Sequence, residues 1–367
     1  MSYTVALPQA EGADSVGGKG ASLGELLRAG IPVPPGFAVT VGAFQAAMAA
    51  IDPDGRQRAG IEALDASDLS AIMTATAAFR DAIIAASVPD SVAAAITAAY
   101  AALGGGREDP DVAVRSSATM EDSAAASFAG LQDTYLGVRG PGEVLDRVRR
   151  CWASLYNSES VAYRRRIRLP EQSPSMAVVV QVMVRPRAAG VMFTRSPVTG
   201  DRSVVAIEGT WGLGSALVAG VVTPDSFTIS KVTGEITSRR VSAKTTMHTP
   251  HPNEPGISSA EAPLHLQAAP CLADAEIRAL AAVARQVEAH YGTPQDIEWA
   301  VLDSDFGDSD FGDSDAPEAT RIVLLQSRPE TVWAAREAAG PPPVAAPKPR
   351  AADHVLSLFG QHLGKSR

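Results

Sequence analysis

Four separated stretches of this chain carry residue types suited to holding a polyphosphate. In GGKGAS (residues 17–22), Lys19 stands among glycines. Glycine lets backbone N–H groups approach an anion, and the lysine adds a point charge. The spacing is not the GxxxxGK[ST] phosphate loop, so an ordinary surface lysine in a turn is the alternative. In VAVRSSATMEDSAAASFAG (112–130), an apolar run delivers Arg115 into a loop of serines, threonine and glycine. A guanidinium surrounded by hydroxyl and amide donors suits a polyphosphate, and an arginine tied structurally to Glu121 or Asp122 is the competing reading. In DIEWA and LLQSRP, alternation by two places Arg328 on the same strand face as Gln326, and a neighbouring strand can bring Glu298 beside them. A carboxylate and an amide oxygen next to an arginine suit Mg²⁺ plus phosphate, and a plain Glu–Arg pair is the alternative. In VVVQVMV (178–184), a buried strand runs toward RPRAAG. Adenine is read by backbone groups between apolar walls at such places, which makes Gln181 and Met183 candidates. The same run also reads as core.

The elements that must position these residues alternate between helix and strand. Ser22 is a candidate cap for a short helix carrying Leu23, Leu26 and Leu27, and AGIPVPPGF stops it before a strand at 37–41. Residues 42–104 read as helices broken at DPDG (52–55) and VPD (88–90) and ended by the glycines at 104–106. Strands are expected at 111–117, 134–138, 176–184, 189–197, 203–211 and 226–231, with one or two amphipathic helices over 143–169. Residues 232–269 show weak periodicity. A helix over 271–292 is capped by Asp274 and ended by Gly292, and strands at 295–302 and 321–330 follow. Between these last two strands, DSDFG is directly duplicated, which reads as a polar loop insertion. The acidic tract lacks the calcium-loop pattern that ends in a bidentate Glu. Residues 338–352 form a proline-rich linker, and 353–367 a short candidate helix.

Composition narrows the function classes. The 367 residues are 46% hydrophobic and 20% charged, with a net charge of −9. That balance suits a folded domain with an aliphatic core and argues against a general nucleic-acid binder, which needs a basic face. The two cysteines, Cys151 and Cys271, have neither metal-ligand nor disulfide-framework spacing and read as buried thiols. No signal peptide or apolar run of membrane-spanning length is visible, so the cytoplasm is the expected location.

The order of the motifs carries more than any one of them. VGGKGASLGELLRAGIPVPPGFAVT, VRSSATMEDSAAASFAGLQDTYLGV, CWASLYNSESVAYR, VVVQVMV, AAGVMFTRSPVTGDR, WGLGSALVAGVVTPDSF, DIEWA and LLQSRP follow one another along the chain. Together they resemble the nucleotide-binding domain of the phosphoenolpyruvate synthase / pyruvate phosphate dikinase family, in wording similar to rifampicin phosphotransferases, over roughly residues 10–335. The resemblance implies an α/β (α+β), ATP-grasp-like fold over 1–337. In it an N-terminal lobe with a helical block (about 1–175) and a second lobe (about 176–337) clasp ATP and Mg²⁺. It implies transfer of the β-phosphate of ATP, giving AMP and a second phosphate product.

By motif position, Lys19, Arg115 and Arg328 would contact phosphates as catalytic groups. Gly130 and Thr134 would shape the wall beside the nucleotide, Gln181 and Met183 would lie at the adenine hinge, and Glu298 and Gln326 would hold the metal. Two positions depart from the family wording: Leu131 replaces a glutamine in FAGLQDT, and Ser215 a glutamate in WGLGSA. None of the six histidines lies in a GGxxSHAA-like motif, the family's internal phosphoryl acceptor. The resemblance therefore implies a kinase-type subunit serving a separate protein that carries the phosphohistidine, with the C-terminal segment as a docking helix. A nucleotide-responsive module without catalysis and direct phosphorylation of a small molecule such as an antibiotic are the alternatives.

Overall fold

The computed structural model describes residues 2–65, 67–105, 109–119, 122–123, 126–127, 133–166, 169–171, 173–251, 254–302 and 321–334. Gly130, Leu131, Glu121, the duplicated DSDFG, the proline-rich linker and the C-terminal candidate helix lie outside the described residues. The chain divides into two units, Met1–Glu330 and Thr331–Arg367, and both sheets belong to the first.

The continuous apolar run at 176–182 shows how this unit is built. β1 (Thr4–Ala6) leads through a 3-10 turn into α1 (Ala13–Arg28) and β2 (Gly36–Val39). Four helices follow: α2 (Val41–Ile51), α3 (Arg56–Ala63), α4 (Leu69–Ala85) and α5 (Asp90–Leu103). β3 (Val112–Ala118), a short ribbon of β4 (Asp122–Ser123) and β5 (Ala126–Ser127), and β6 (Thr134–Val138) come next. α6 (Pro141–Ser154), α7 (Ser158–Arg166) and β7 (Met176–Val182) complete the half. The five long strands form an antiparallel sheet in the order β1-β2-β7-β3-β6, with β7 central. Its alternate residues face two cores. Val178 and Val180 pack with Phe44, Ile72, Phe79 and Trp152 of the helical block, and Val179 packs on the opposite side with Leu23 and Leu26 of α1. A strand covered on both faces has no polar face to show, hence the unbroken hydrophobic run.

The second half opens with β8 (Pro186–Phe193), β9 (Val204–Trp211), α8 (Ser215–Val218), β10 (Asp225–Ser230) and β11 (Ile236–Arg240). It continues with β12 (Thr246–Pro250), β13 (Ile257–Glu261), α9 (Leu264–Gln267), α10 (Asp274–Tyr291), β14 (Gln295–Leu302) and β15 (Arg321–Pro329). Six strands form an antiparallel sheet in the order β11-β10-β9-β8-β14-β15. α10 lays Ile277, Leu280, Ala284 and Val287, one helical stripe, against Trp299, Ile207 and Phe227. α1 belongs to both halves, packing on β3 and β7 of the first sheet and on β15 of the second.

Several elements differ from the sequence expectation for local reasons. The helix expected to start at Ser22 starts at Ala13 and runs through a break at Gly17, whose φ of 71° a non-glycine residue would adopt only under strain. Ser22 sits inside it and donates its hydroxyl to the Ser327 carbonyl at 2.7 Å. Asp274 is the first residue of α10 rather than its cap, and the Glu276 carboxylate accepts from the Ala273 N–H at 2.7 Å. The weakly periodic 232–269 holds β11, β12, β13 and α9, whose exposed residues leave little hydrophobic pattern to read. β7 belongs to the first sheet, so the change of sheet falls at 183–185, after that strand. Cys151 and Cys271 are buried and unlinked, as expected.

Candidate functional site

Arg115 lies in the middle of β3, yet its side chain ends on the other sheet. Nη1 donates to the Leu325 carbonyl at 2.7 Å, and Nη2 donates to Glu298 Oε2 at 2.7 Å and to Gln326 Oε1 at 2.8 Å. Glu298 on β14 and Gln326 on β15 are direct register partners, which puts both side chains on one face as their spacing predicts. Immediately beyond them the register slips by one residue at Leu325, a β-bulge. The bulge takes the Leu325 carbonyl out of ordinary pairing and turns it toward the guanidinium. Of the structural pairing that the sequence offered for Arg115, Glu121 and the side chain of Asp122 lie outside the described residues, and the described partners are these three contacts across the sheets.

Arg328 is the register partner of Asp296 and stays on the Glu298–Gln326 face. Its Nε stands 3.4 Å from Asp296 Oδ2. Burial raises the Asp296 carboxyl to a pKa of about 6; Arg328 opposes the rise and the charge of Glu330 adds to it. The other Asp296 oxygen, Oδ1, is buried without a hydrogen-bond partner in the described structure. Sequence reasoning missed Asp296, although it lies two residues before Glu298 and the same alternation would have found it.

From this polar end an apolar cleft of about 340 Å³ runs toward the change of sheet. Its lining includes Gln181, Met183 and Val184 at the change of sheet, Ala189 and Gly190 of β8, and Arg115 and Glu298 of the polar cluster. Its size falls in the range of small-ligand pockets. Gln181 is buried, donating from Nε2 to the Pro34 carbonyl at 3.2 Å. Met183 is pinned by its own N–H, bonded to the Asp111 carbonyl at 2.9 Å, and by its sulfur, which accepts from the Gly137 N–H at 3.0 Å. Thr134 on β6 is the register partner of Arg115 and lines the wall opposite the second sheet. Gly130 lies outside the described residues.

Lys19 is nearly buried on α1 and does not line the apolar cleft. Its position is set by Ser117, whose Oγ donates to the Val16 carbonyl at 3.0 Å and accepts from the Gly20 N–H at 3.1 Å. The break at Gly17 lets the helix come this close to β3, because a Cβ there would overlap the Ser117 carbonyl. Ser22, one helical turn beyond Lys19, touches Ser327, so this helix face looks toward the strand that carries Gln326 and Arg328. Ser215, at the cleft wall, hydrogen-bonds His248 Nδ1 at 2.9 Å. That pairing joins residues 33 apart and had no sequence signal.

Among the described residues no cluster of three or more His, Cys, Asp or Glu could hold a metal by protein ligands alone. The pair of oxygens from Glu298 and Gln326 fits Mg²⁺, which keeps several waters and is usually held by one or two side chains together with substrate phosphates. Also among the described residues, no single helix is long and apolar enough to cross a membrane.

Two antiparallel sheets closing on an apolar cleft, with an arginine, a carboxylate and an amide gathered at one end, define an ATP-grasp-like nucleotide-binding domain of mixed α/β class. The chain belongs to the family described as pyruvate phosphate dikinase, AMP/ATP-binding domain, which it matches over residues 13–345. It is 43% identical over 318 residues to a probable phosphoenolpyruvate synthase of Methanothermobacter thermautotrophicus, covering 86% of this chain and 44% of that protein. It is 44% identical over 301 residues to a rifampicin phosphotransferase of a Streptomyces species, covering 81% and 34%. To a phosphoenolpyruvate synthase of Aeropyrum pernix it is 40% identical over 356 residues, covering 89% and 42%. The chain thus spans less than half the length of these relatives.

Proposed function

We propose that this chain is the ATP-clasping part of a dikinase-type phosphotransferase and moves the β-phosphate of ATP to an acceptor, leaving AMP and a second phosphate product. The observation that carries the reading is the convergence of Glu298 and Gln326, from one sheet, on Arg115 from the other, beside the apolar cleft that Arg115 and Glu298 line. The base occupies the end lined by Gln181 and Met183, where aliphatic walls exclude water and backbone groups can meet its polar edge. The triphosphate points toward Arg115, with Lys19 and Arg328 supplying further positive charge. Thr134 closes the near wall, and Gly130 is assigned to the same wall by its place in the motif.

Phosphoryl transfer asks the protein for little covalent chemistry. Its main devices are in-line positioning and neutralisation of charge on the transferring group. Glu298 and Gln326 would hold Mg²⁺, which supplies Lewis-acid stabilisation of the phosphate oxygens when bound. The Arg115 fork is suited to two phosphate oxygens and is fixed by the Leu325 carbonyl, so its aim is preorganised. The Ser117 bridge to α1 gives Lys19 comparable rigidity.

The phosphoryl acceptor is proposed to be a histidine on a separate protein; none of the six histidines in residues 1–367 lies in a GGxxSHAA-like motif. Functionally we divide the clasp at 183–185, where the sheets change, with the cytoplasm as its working compartment. The test mixes the chain with MgATP and a candidate histidine-bearing partner and follows AMP and phosphohistidine by ³¹P NMR. AMP that appears only with the partner supports the reading. A bound partner with no AMP formed leaves a nucleotide-responsive module instead, and a phosphorylated rifamycin formed by the chain alone would favour direct small-molecule transfer.

A further inference from the structure

We propose that Glu298 is a specificity determinant that makes this site reject metal-free nucleotide, because it occupies the same guanidinium that the phosphates require. The inference rests on the reading of the cleft as an ATP site.

The Arg115 side chain is only 11% exposed and already engaged. Its Nη2 is shared between Glu298 and Gln326, and its Nη1 is held by the Leu325 carbonyl. The Glu298 side chain is 35% exposed and lines the cleft. The cation for the phosphates and the carboxylate for the metal therefore neutralise one another across the two sheets. A polyphosphate arriving alone either displaces the carboxylate from Nη2 or takes the remaining N–H of Nη1 with the carboxylate still in place, and in both cases sits beside it, like charge against like charge. A divalent cation arriving alone must draw Glu298 away and leave Arg115 facing a second positive charge. Like charges a few ångströms apart in a partly enclosed cleft repel strongly, so each ligand alone meets a penalty.

Together they exchange partners without one. The carboxylate turns to the metal, Nη2 turns to a phosphate oxygen, and Nη1 keeps its bond to Leu325. The arginine is re-aimed by one nitrogen rather than released. Metal and nucleotide then bind cooperatively and reciprocally: each raises the affinity of the other by the same factor. Gln326 shares Nη2 without carrying charge, so the discrimination belongs to Glu298.

The experiment is isothermal titration calorimetry of ATP, in excess EDTA and in excess Mg²⁺, with the full chain, Glu298→Gln and Gln326→Glu. Glu298→Gln keeps the shape and removes the repelling charge. Metal-free ATP is expected to bind it about tenfold more tightly than it binds the wild type, on the scale of one lost like-charge neighbour in a partly solvated site. Gln326→Glu adds a second carboxylate beside Nη2 and is expected to weaken metal-free ATP while strengthening Mg²⁺ binding in the absence of nucleotide. Thermal melts of both variants establish that they fold. Should one fail to fold, the other variant and the wild-type ATP affinity measured across Mg²⁺ concentrations still decide the question. Metal-free binding no tighter in Glu298→Gln, or no weaker in Gln326→Glu, with wild-type MgATP binding intact, overturns this proposal alone. An absence of wild-type MgATP binding overturns it together with the nucleotide reading.

Discussion

Replacing Gly17 by alanine would test how the glycine turn on α1 builds the phosphate end of the site. The residue has a φ of 71° and a ψ of 169°, a conformation used essentially by glycine alone that costs an L residue about 1–3 kcal/mol. A Cβ there would also overlap the Ser117 carbonyl and hydroxyl, so helix and strand must separate. Separation breaks the two Ser117 Oγ hydrogen bonds, to the Val16 carbonyl and from the Gly20 N–H, at about 1 kcal/mol each. The expected total is about 3–5 kcal/mol. Gly12 is the control: its φ is also 71°, but nothing lies within 4 Å of a built Cβ, so alanine there costs only the conformational part. Urea unfolding followed by tryptophan fluorescence should therefore separate the two variants by about 2 kcal/mol. MgATP affinity should fall in Gly17→Ala and hold in Gly12→Ala, because Ser117 lies two residues from Arg115 on β3. Equal destabilisation by the two substitutions would refute this account of the turn.

Other consequences reach different parts of the fold. Lys244 and Asp225 form a fully buried pair at 2.6 Å, and Lys244→Met strands the carboxylate, so it should cost about 3–5 kcal/mol in urea unfolding. Asp52 is partly desolvated, which alone would raise its pKa, but hydrogen bonds from the Gln57 N–H and from Arg58 outweigh this and lower it. A lowered carboxyl pKa gives stability that is present above the ordinary value of about 3.8 and is lost as pH falls through the folded value. Asp52→Asn should accordingly destabilise at about pH 7 and lose its effect in the most acidic buffers, as read from thermal melts. Burial pushes the Cys151 and Cys271 thiols upward, so iodoacetamide should label both only after unfolding; labelling of the native chain at the rate of a free thiol would contradict their placement.

What could be read from the sequence depended on how local its cause was. The strands carrying Arg115, Thr134, Glu298 and Gln326 show alternation or a buried apolar run, and Thr134–Val138 and Gln295–Leu302 lie where the pattern places them. The shared face of Glu298 and Gln326 follows from strand period alone once the two strands pair. The bulge at Leu325 has no such signature, because it arises where β15 meets its neighbours and an arginine from the other sheet. The start of α1 was hidden because glycines at 17, 18 and 20 read as loop, while tertiary packing on β3 and β15 makes them helix. The strands at 236–261 were hidden because they are largely exposed and carry no hydrophobic face. The Ser215–His248 contact depends on β12 returning beside Gly212, which only the folded chain displays.

The claim that this cleft takes ATP with its phosphates on Arg115 is tested most directly by calorimetric titration of MgATP into the chain and into Arg115→Ala. The account predicts one site per wild-type chain. In the variant it predicts affinity lower by about tenfold to a hundredfold, the scale of a charge-assisted hydrogen bond. No binding to the wild type, or equal affinity in the two proteins, would contradict it.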